Sequence, residues 1–375
     1  LEIFFDEIQA APTTEELLLG LYGHAVPVLI AALEKHRADT NPLADAPSAR
    51  VAKLALLELR EMDAYGTQAV AAFQGAIGNR RAEITPWLAL LDDCLAAAGG
   101  LDGTETKVAK TLTRRHSAKP YVFDGLPKRD ARFPDPYNMG VHAEAFLYDP
   151  AMPAAPKTLM MYYKRLREID VPEMMASIIA ETPERPWPYV VDMTRQLWDE
   201  ARHAMMGEVG FVRAGIDWRR FVRVNFTWSL ALNTQLTPLE RHAVLYFIEQ
   251  GLMPSNGKRF EWEVGCESGD PFSAMVQDYD WADEVLHARI GREWYVKQMG
   301  GRQQAIDYGD RCWSKVLIDW KRYQADGVTQ HENWWPDLYR EWCRLRRIDP
   351  DPHVLAFHTS YETARADLRE LSGSG

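Results

Sequence analysis

One pattern occurs twice in this chain and constrains its fold more than any other feature. The first copy is Asp199-Glu200-Ala201-Arg202-His203-Ala204-Met205-Met206-Gly207. The second is Asp283-Glu284-Val285-Leu286-His287-Ala288-Arg289-Ile290-Gly291. Both read D-E-x-x-H-A-x-x-G, and both fall inside stretches with helical patterning. Residues three apart share one face of a helix, so each carboxylate and imidazole can reach the same point. With 54 acidic residues and 10 His in 375, random order supplies a D-E-x-x-H only about 0.05 times. Two copies sharing the trailing Ala and Gly are therefore not assigned to chance. The bland alternative is two surface Glu–His contacts.

The rest of the chain reads as all-α. Thr13 to Glu16 has the form of a capping box, opening a helix to about Lys35 that Pro27 should kink. Ala46-Pro47-Ser48 opens a second long helix, and Thr85-Pro86 a third that stops at Gly99-Gly100. Between residues 117 and 157, seven prolines exclude a long helix. A connection of this length usually wraps a neighbour or has a function. Helices are expected again over Lys157–Glu181 (with Pro172 inside), Trp187–Gly215, Asp217–Asn233, from Thr237-Pro238, Asp270–Met299, Arg302–Ala325 and Asn333–Arg347. No stretch alternates with period two as a strand would. The expected organisation is an N-terminal helical region over 1–116, a proline-rich linker over 117–156, a metal-binding bundle over 157–300, and C-terminal helices with a tail over 301–375. Ser372 to Gly375 reads as flexible tail.

Helix bundles build two-metal sites from two Glu-x-x-His helices and one Glu from each of two others. Antiparallel neighbours mirror depth about their connecting loop, at 1.5 Å per residue. A turn near residue 184 sets the partner of Glu200 near 169. Glu168 fits, Glu173 is the second choice, and Asp170 faces elsewhere. The partner of Glu284 depends on where the second hairpin turns. Glu240 qualifies if the helix stops at Pro254. Glu249 qualifies if a helix resumes over 258–264, and its apolar neighbours Leu245, Phe247 and Ile248 favour it, because a lone carboxylate there needs a partner. The candidate ligands are thus Glu168, Glu200, His203, Glu249, Glu284 and His287. Their oxygen and nitrogen atoms suit iron or manganese.

This order, with separations of 32, 49 and 35 residues between the four Glu, resembles the ferritin-like di-iron carboxylate superfamily over about residues 157–300. That group includes ferritins, the ribonucleotide reductase small subunit, multicomponent monooxygenases and acyl-carrier-protein desaturases. The spacing is most similar to the last two. The resemblance implies a ferritin-like four-helix bundle with added N- and C-terminal helices. It implies two Fe ions, with a Mn/Fe pair as the variant, and O2 as co-substrate. The expected function is an O2-activating oxygenase or oxidase that hydroxylates, desaturates or N-oxygenates a small organic substrate, supplied by an external electron donor, with a homodimer allowed. The resemblance also gives Asp199 and Asp283 a role as hydrogen-bond acceptors for the ligand histidines, which fixes the ring tautomer. Two other readings stand beside this one. The first is a protein handling iron or peroxide, or a Mn/Fe oxidase. The second is a non-catalytic helical interaction protein with a vestigial site.

Several features set bounds. A net charge of −11 argues against nucleic acid and anionic membrane as main partners. No apolar run is read as approaching the ~20 residues of a membrane span, and the N-terminus lacks a signal-peptide layout. Four cysteines without a C-x-x-C pair read as reduced thiols of a cytoplasmic protein. Gly207 and Gly291 are expected to allow close helix approach, with space for O2 and substrate as the alternative, since a mid-helix Gly otherwise costs about 1 kcal/mol against Ala. Leu57 to Gly66 echoes the motif with Ala64 in the His position, and no second metal site is expected there. His142 with Glu144 reads as surface loop, with a cover over the site as the alternative. Trp198, Trp228 and Trp281 read as core.

Overall fold

The computed structural model describes residues 1–225, 227–254, 257–316 and 320–361. All regular structure among the described residues is helical. The chain forms two compact units, Leu1–Val122 and Phe123–Gly375. The division lies inside the proline-rich stretch, and the C-terminal helices belong to the same unit as the repeated motif. The tail from Ser372 to Gly375 lies outside the described residues.

The first unit holds α1 (Glu2–Gln9), α2 (Thr14–Gly20), α3 (Val26–Asp39), α4 (Ala46–Ala72), α5 (Gln74–Asn79) and α6 (Arg81–Ala98). The sequence hides α1 because its first turn has no side-chain cap. Its Phe4 and Ile8, one turn apart, pack on Trp87, Leu90, Leu91 and Cys94 of α6. Just before Pro27 the helix changes its winding. A π-helical turn over Leu21–Ala25 leads into α3, with the Val26 N–H donating to Leu21 O, so the widened turn accommodates the proline. The buried Glu7 accepts hydrogen bonds from the backbone N–H groups of Arg115, His116 and Ser117 and from Ser117 Oγ. In the echo of the motif, Glu58 and Glu61 are exposed and Gly66 receives Tyr22.

One expectation is corrected here. The helical run Thr14–Asp39 has the length and apolar composition to cross a membrane, and only 17% of its apolar window is buried in the structure. Gly20, Gly23, His24 and Pro27 make the run look interrupted, yet they do not bring its average hydropathy down. Core helices and signal sequences share such length and composition.

The second unit begins its helices with α7 (Ala143–Leu147), α8 (Ala154–Arg167), α9 (Asp170–Glu181) and α10 (Trp187–Arg213). Then follow α11 (Trp218–Phe221), α12 (Thr227–Gln235), α13 (Pro238–Gly251), α14 (Lys258–Glu267) and α15 (Pro271–Trp294). The last are α16 (Arg302–Val316), α17 (Trp320–Ala325), α18 (Trp335–Arg346) and α19 (Pro352–Leu355). Two expected helices are divided. Pro172 lacks the N–H that would bond to Glu168 O, so Val171 N takes that oxygen at 3.0 Å and the chain breaks between α8 and α9. The stretch expected as one helix over 217–233 is non-helical at 222–225. The helix expected over 302–325 is described only as α16 and α17, with 317–319 outside the described residues.

Two large apolar clusters and one small one support this unit. Of the large ones, one gathers Phe146, Tyr163, Phe211, Trp218, Trp335 and Trp342, and the other Met175, Met193, Tyr189, Val244, Tyr246 and Tyr295. Trp228 stacks on Trp313 at 4.1 Å, as a core ring would, whereas Trp198 is exposed. All four cysteines are free.

His242 of α13 is enclosed by the rings of Tyr189 and Tyr295, at centroid distances of 6.1 and 5.5 Å. Burial holds its imidazole down at about 3, against an ordinary value of 6.5, and Arg185 adds to the effect. A pKa depressed by folding gives stability that is full above 6.5 and declines as pH falls below it. Each pH unit in that window corresponds to about 1.4 kcal/mol. His242→Phe is therefore expected to remove about 2 kcal/mol of the acid-induced loss between pH 6.5 and 5. Urea unfolding of both proteins at the two pH values checks this; equal losses would refute it.

Candidate metal centre

Helix α10 carries Glu200 and His203, and α15 carries Glu284 and His287. Glu249 comes from α13, and Glu168 closes α8 as its C-cap residue. The motif glycines explain how these helices come close enough. A Cβ on Gly207 would lie 2.3 Å from Leu166 N and 2.5 Å from Tyr162 O, both backbone atoms of α8. A Cβ on Gly291 would lie 2.4 Å from Cδ2 of Tyr246 on α13. Each motif glycine thus seats the helix that brings the extra glutamate.

The six expected residues converge in two adjoining groups. Glu200, Glu249, Glu284 and His287 form one buried group that could hold a metal ion, and Glu168, His203 and Asp280 form another. His287 Nδ1 lies 3.0 Å from Glu200 Oε1, 3.5 Å from Glu284 Oε2 and 3.8 Å from Glu249 Oε1. His203 Nδ1 lies 3.4 Å from Glu168 Oε2 and 3.5 Å from both Glu200 Oε2 and Asp280 Oδ1. Glu200 therefore faces both halves, one oxygen to each. The ring centroids of His203 and His287 are 5.8 Å apart.

A metal ion fits these donors. The inward atoms His203 Nδ1, His287 Nδ1, Glu168 Oε2, Glu200 Oε1 and Glu284 Oε2 are buried and have no hydrogen-bond partner. Orphaned buried acceptors are costly, and a cation among them removes that cost.

The outward ring nitrogens meet the two motif aspartates, in crossed fashion. His203 Nε2 is 3.2 Å from Asp283 Oδ2, and His287 Nε2 is 3.5 Å from Asp199 Oδ2. Each aspartate faces the histidine of the other helix, within hydrogen-bond reach for His203 and at ion-pair distance for His287. Arg202 Nη2 donates to both aspartates at 2.7 Å, and Arg195 Nε donates to Asp199 at 2.9 Å. A ring that donates from Nε2 presents Nδ1 to the centre as an acceptor.

Charges here are strongly coupled to burial. Burial pushes the Glu200 carboxyl up, but His203 and His287 outweigh it and take it down to about 2. Burial lowers His203, while Asp283, Glu168 and Glu200 lift it to about 10. Burial, then the carboxylates of Glu284 and Glu200, raise Glu249 well above its usual range. Gln196 Nε2 donates to Glu249 Oε1 at 3.0 Å.

Sequence reasoning missed Asp280 and a layer of buried cations. Asp280 stands one turn before Glu284 on the same face of α15, and that spacing was the available signal. Lys258 Nζ lies 2.9 Å from both Asp280 oxygens, 2.8 Å from Glu284 Oε1 and 4.0 Å from Glu168 Oε1. Arg165 pairs with Asp280 and, at 2.8 Å, with Glu168. Lys164 pairs with the buried Glu261. The runner-up carboxylates are employed elsewhere. Glu173 pairs with Arg129 at 3.1 Å, and Glu240 completes a capping box with Thr237.

A cavity of about 740 Å³ opens against Glu168, Glu200, Glu249 and Glu284. Its walls include Val171, Met174, Leu232, Leu245, Ile248 and Leu252. Trp228 and Trp313 also line it, as do His142 and Glu144. These last two are part of the cavity wall rather than a free surface loop. Glu144 pairs with Arg167 and accepts from Tyr361 Oη at 3.2 Å. Arg167 and His142 outweigh burial and hold the Glu144 carboxyl down at about 2.

Comparison with protein-family models, with curated proteins and with solved structures finds no match for this chain. The chemistry of the centre must be argued from its own residues.

Proposed function

We propose that this chain is a ferritin-like di-iron protein that uses O2 to oxidise a small organic substrate. The observation that carries the reading is the pairing of two buried His–carboxylate groups across one shared glutamate, with unsatisfied donor atoms aimed inward. Carboxylate and imidazole donors suit iron and manganese. Bound iron would supply the redox chemistry of O2 reduction, with electrons from an external donor. The protein's own residues would do the rest. Glu168, Glu200, Glu249, Glu284, His203 and His287 would hold the ions, with Asp280 beside them. Asp199, Asp283 and Arg202 would fix the imidazole orientation. The apolar wall at Met174, Leu245 and Ile248 would exclude water and seat an apolar part of the substrate.

The cavity favours oxidation of an organic substrate over iron storage, because storage needs no apolar chamber beside the donors. A reducing, cytoplasmic setting is proposed with it, on the four free thiols. The test is anaerobic loading with Fe(II) followed by O2. Iron oxidation is expected in the native protein and its loss in His203→Ala. Failure to take up iron, or identical behaviour of the variant, would sink the reading.

A further inference from the structure

The two halves of the centre arise from one repeated motif, yet they differ at one corresponding position. One turn before the motif Glu stands Gln196 on α10 and Asp280 on α15. Gln196 is neutral and supports Glu249. Asp280 is an added carboxylate in the His203 half and is already matched by cations, Lys258 and Arg165. Lys258 is 1% exposed, and its ammonium rests between Asp280 and Glu284, where it contacts ligands of both halves. In the His287 half, no lysine or arginine pairs with Glu249 or Glu200 among the described residues.

We propose that Lys258 is a built-in competitor for the second metal ion, so that the two halves load unequally. This rests on the metal-centre reading above. The His287 half, with Glu200, Glu249 and Glu284, takes the first ion. The His203 half, with Glu168 and Asp280, takes a second only when the Lys258 ammonium leaves Asp280 and Glu284. Charge supports this order. When ionised, Glu168, Glu200, Glu249, Glu261, Asp280 and Glu284 exceed the three cations Lys164, Arg165 and Lys258 by three negative charges. One divalent ion lowers that excess to one, so with Lys258 in place little negative charge is left to hold a second. Breaking a buried ion pair is costly, so displacement of Lys258 weakens the second binding step. The lysine serves a purpose before loading as well: it partners the carboxylates that would otherwise repel one another at this depth.

The experiment is a Mn(II) titration of the full chain by equilibrium dialysis with elemental analysis, alongside electron paramagnetic resonance. The native protein is expected to bind one ion per chain as an isolated Mn(II). A second should bind about tenfold more weakly or worse, and an exchange-coupled pair should appear only with it. Lys258→Met keeps the side-chain length and removes the charge, and should bring the second affinity to within about tenfold of the first. Should that variant fail to fold, Asp280→Asn is the second probe, expected to weaken the second ion and spare the first. Two ions of equal affinity in the native protein would overturn the proposal and leave the metal-centre reading standing. So would an unchanged gap in Lys258→Met. No Mn(II) uptake by any of the proteins would overturn both.

Discussion

Replacing Glu200 with alanine is expected to cost metal binding at both halves of the centre, by about 100-fold or more at each. The reason is positional. Glu200 Oε1 faces His287 and Oε2 faces His203, at 3.0 and 3.5 Å, so one truncation removes a donor from each half. Glu249→Ala removes a donor from the His287 half alone, and is expected to leave the other half's affinity within a few-fold. The pair of variants thus separates a shared ligand from a private one. The metal-free Glu200→Ala protein should also lose stability, by about 3 kcal/mol or more, because His203 and His287 lose a buried counter-charge. Calorimetric metal titration and urea unfolding read the two effects. Equal damage to both halves in the two variants would contradict the shared role.

The second large effect is expected at Gly207, which touches no candidate donor. An alanine Cβ there would meet Leu166 N at 2.3 Å and Tyr162 O at 2.5 Å. Those atoms belong to the backbone of α8 and cannot step aside as a side chain can. Overpacking of this kind costs about 3 kcal/mol, against about 1 kcal/mol gained from helix propensity. Gly207→Ala is therefore expected to be destabilised by about 2 kcal/mol or more and to hold Glu168 away from His203. Gly291→Ala meets the movable ring of Tyr246 and should cost less. Thermal unfolding of both variants ranks them, and the reverse order would count against this account of the motif.

Much of the centre was legible in the sequence because helical periodicity converts spacing into geometry. Glu200 and His203 on α10, and Glu284 and His287 on α15, needed only the 3.6-residue repeat. Glu168 needed one further rule, the mirrored depth of a hairpin. Glu249 depended on whether helix resumes after Pro254, and α14 supplies that helix from Lys258 onward. Lys258 and Arg165 were not legible, since a lysine in a short helix after a break carries no spacing that marks it as buried. Helix α1 was hidden for lack of a cap, and the run from Thr14 to Asp39 looked less apolar than its average. The crossed pairing of Asp199 and Asp283 follows from how two helices face each other, which neither motif copy encodes alone.

The break forced by Pro172 has a consequence for the centre's freedom to move. Glu200, His203, Glu284 and His287 hang from helix interiors, where the backbone ladder fixes each Cα, and Glu249 hangs from the last turn of α13. Glu168 stands at the seam between α8 and α9, and its carbonyl accepts from Val171 N. A small rotation at that residue redirects its carboxylate without shifting a helix. The centre has four arms set in helix interiors, one in a last helical turn and one on a swivel, and the swivel stands at the wall of the cavity.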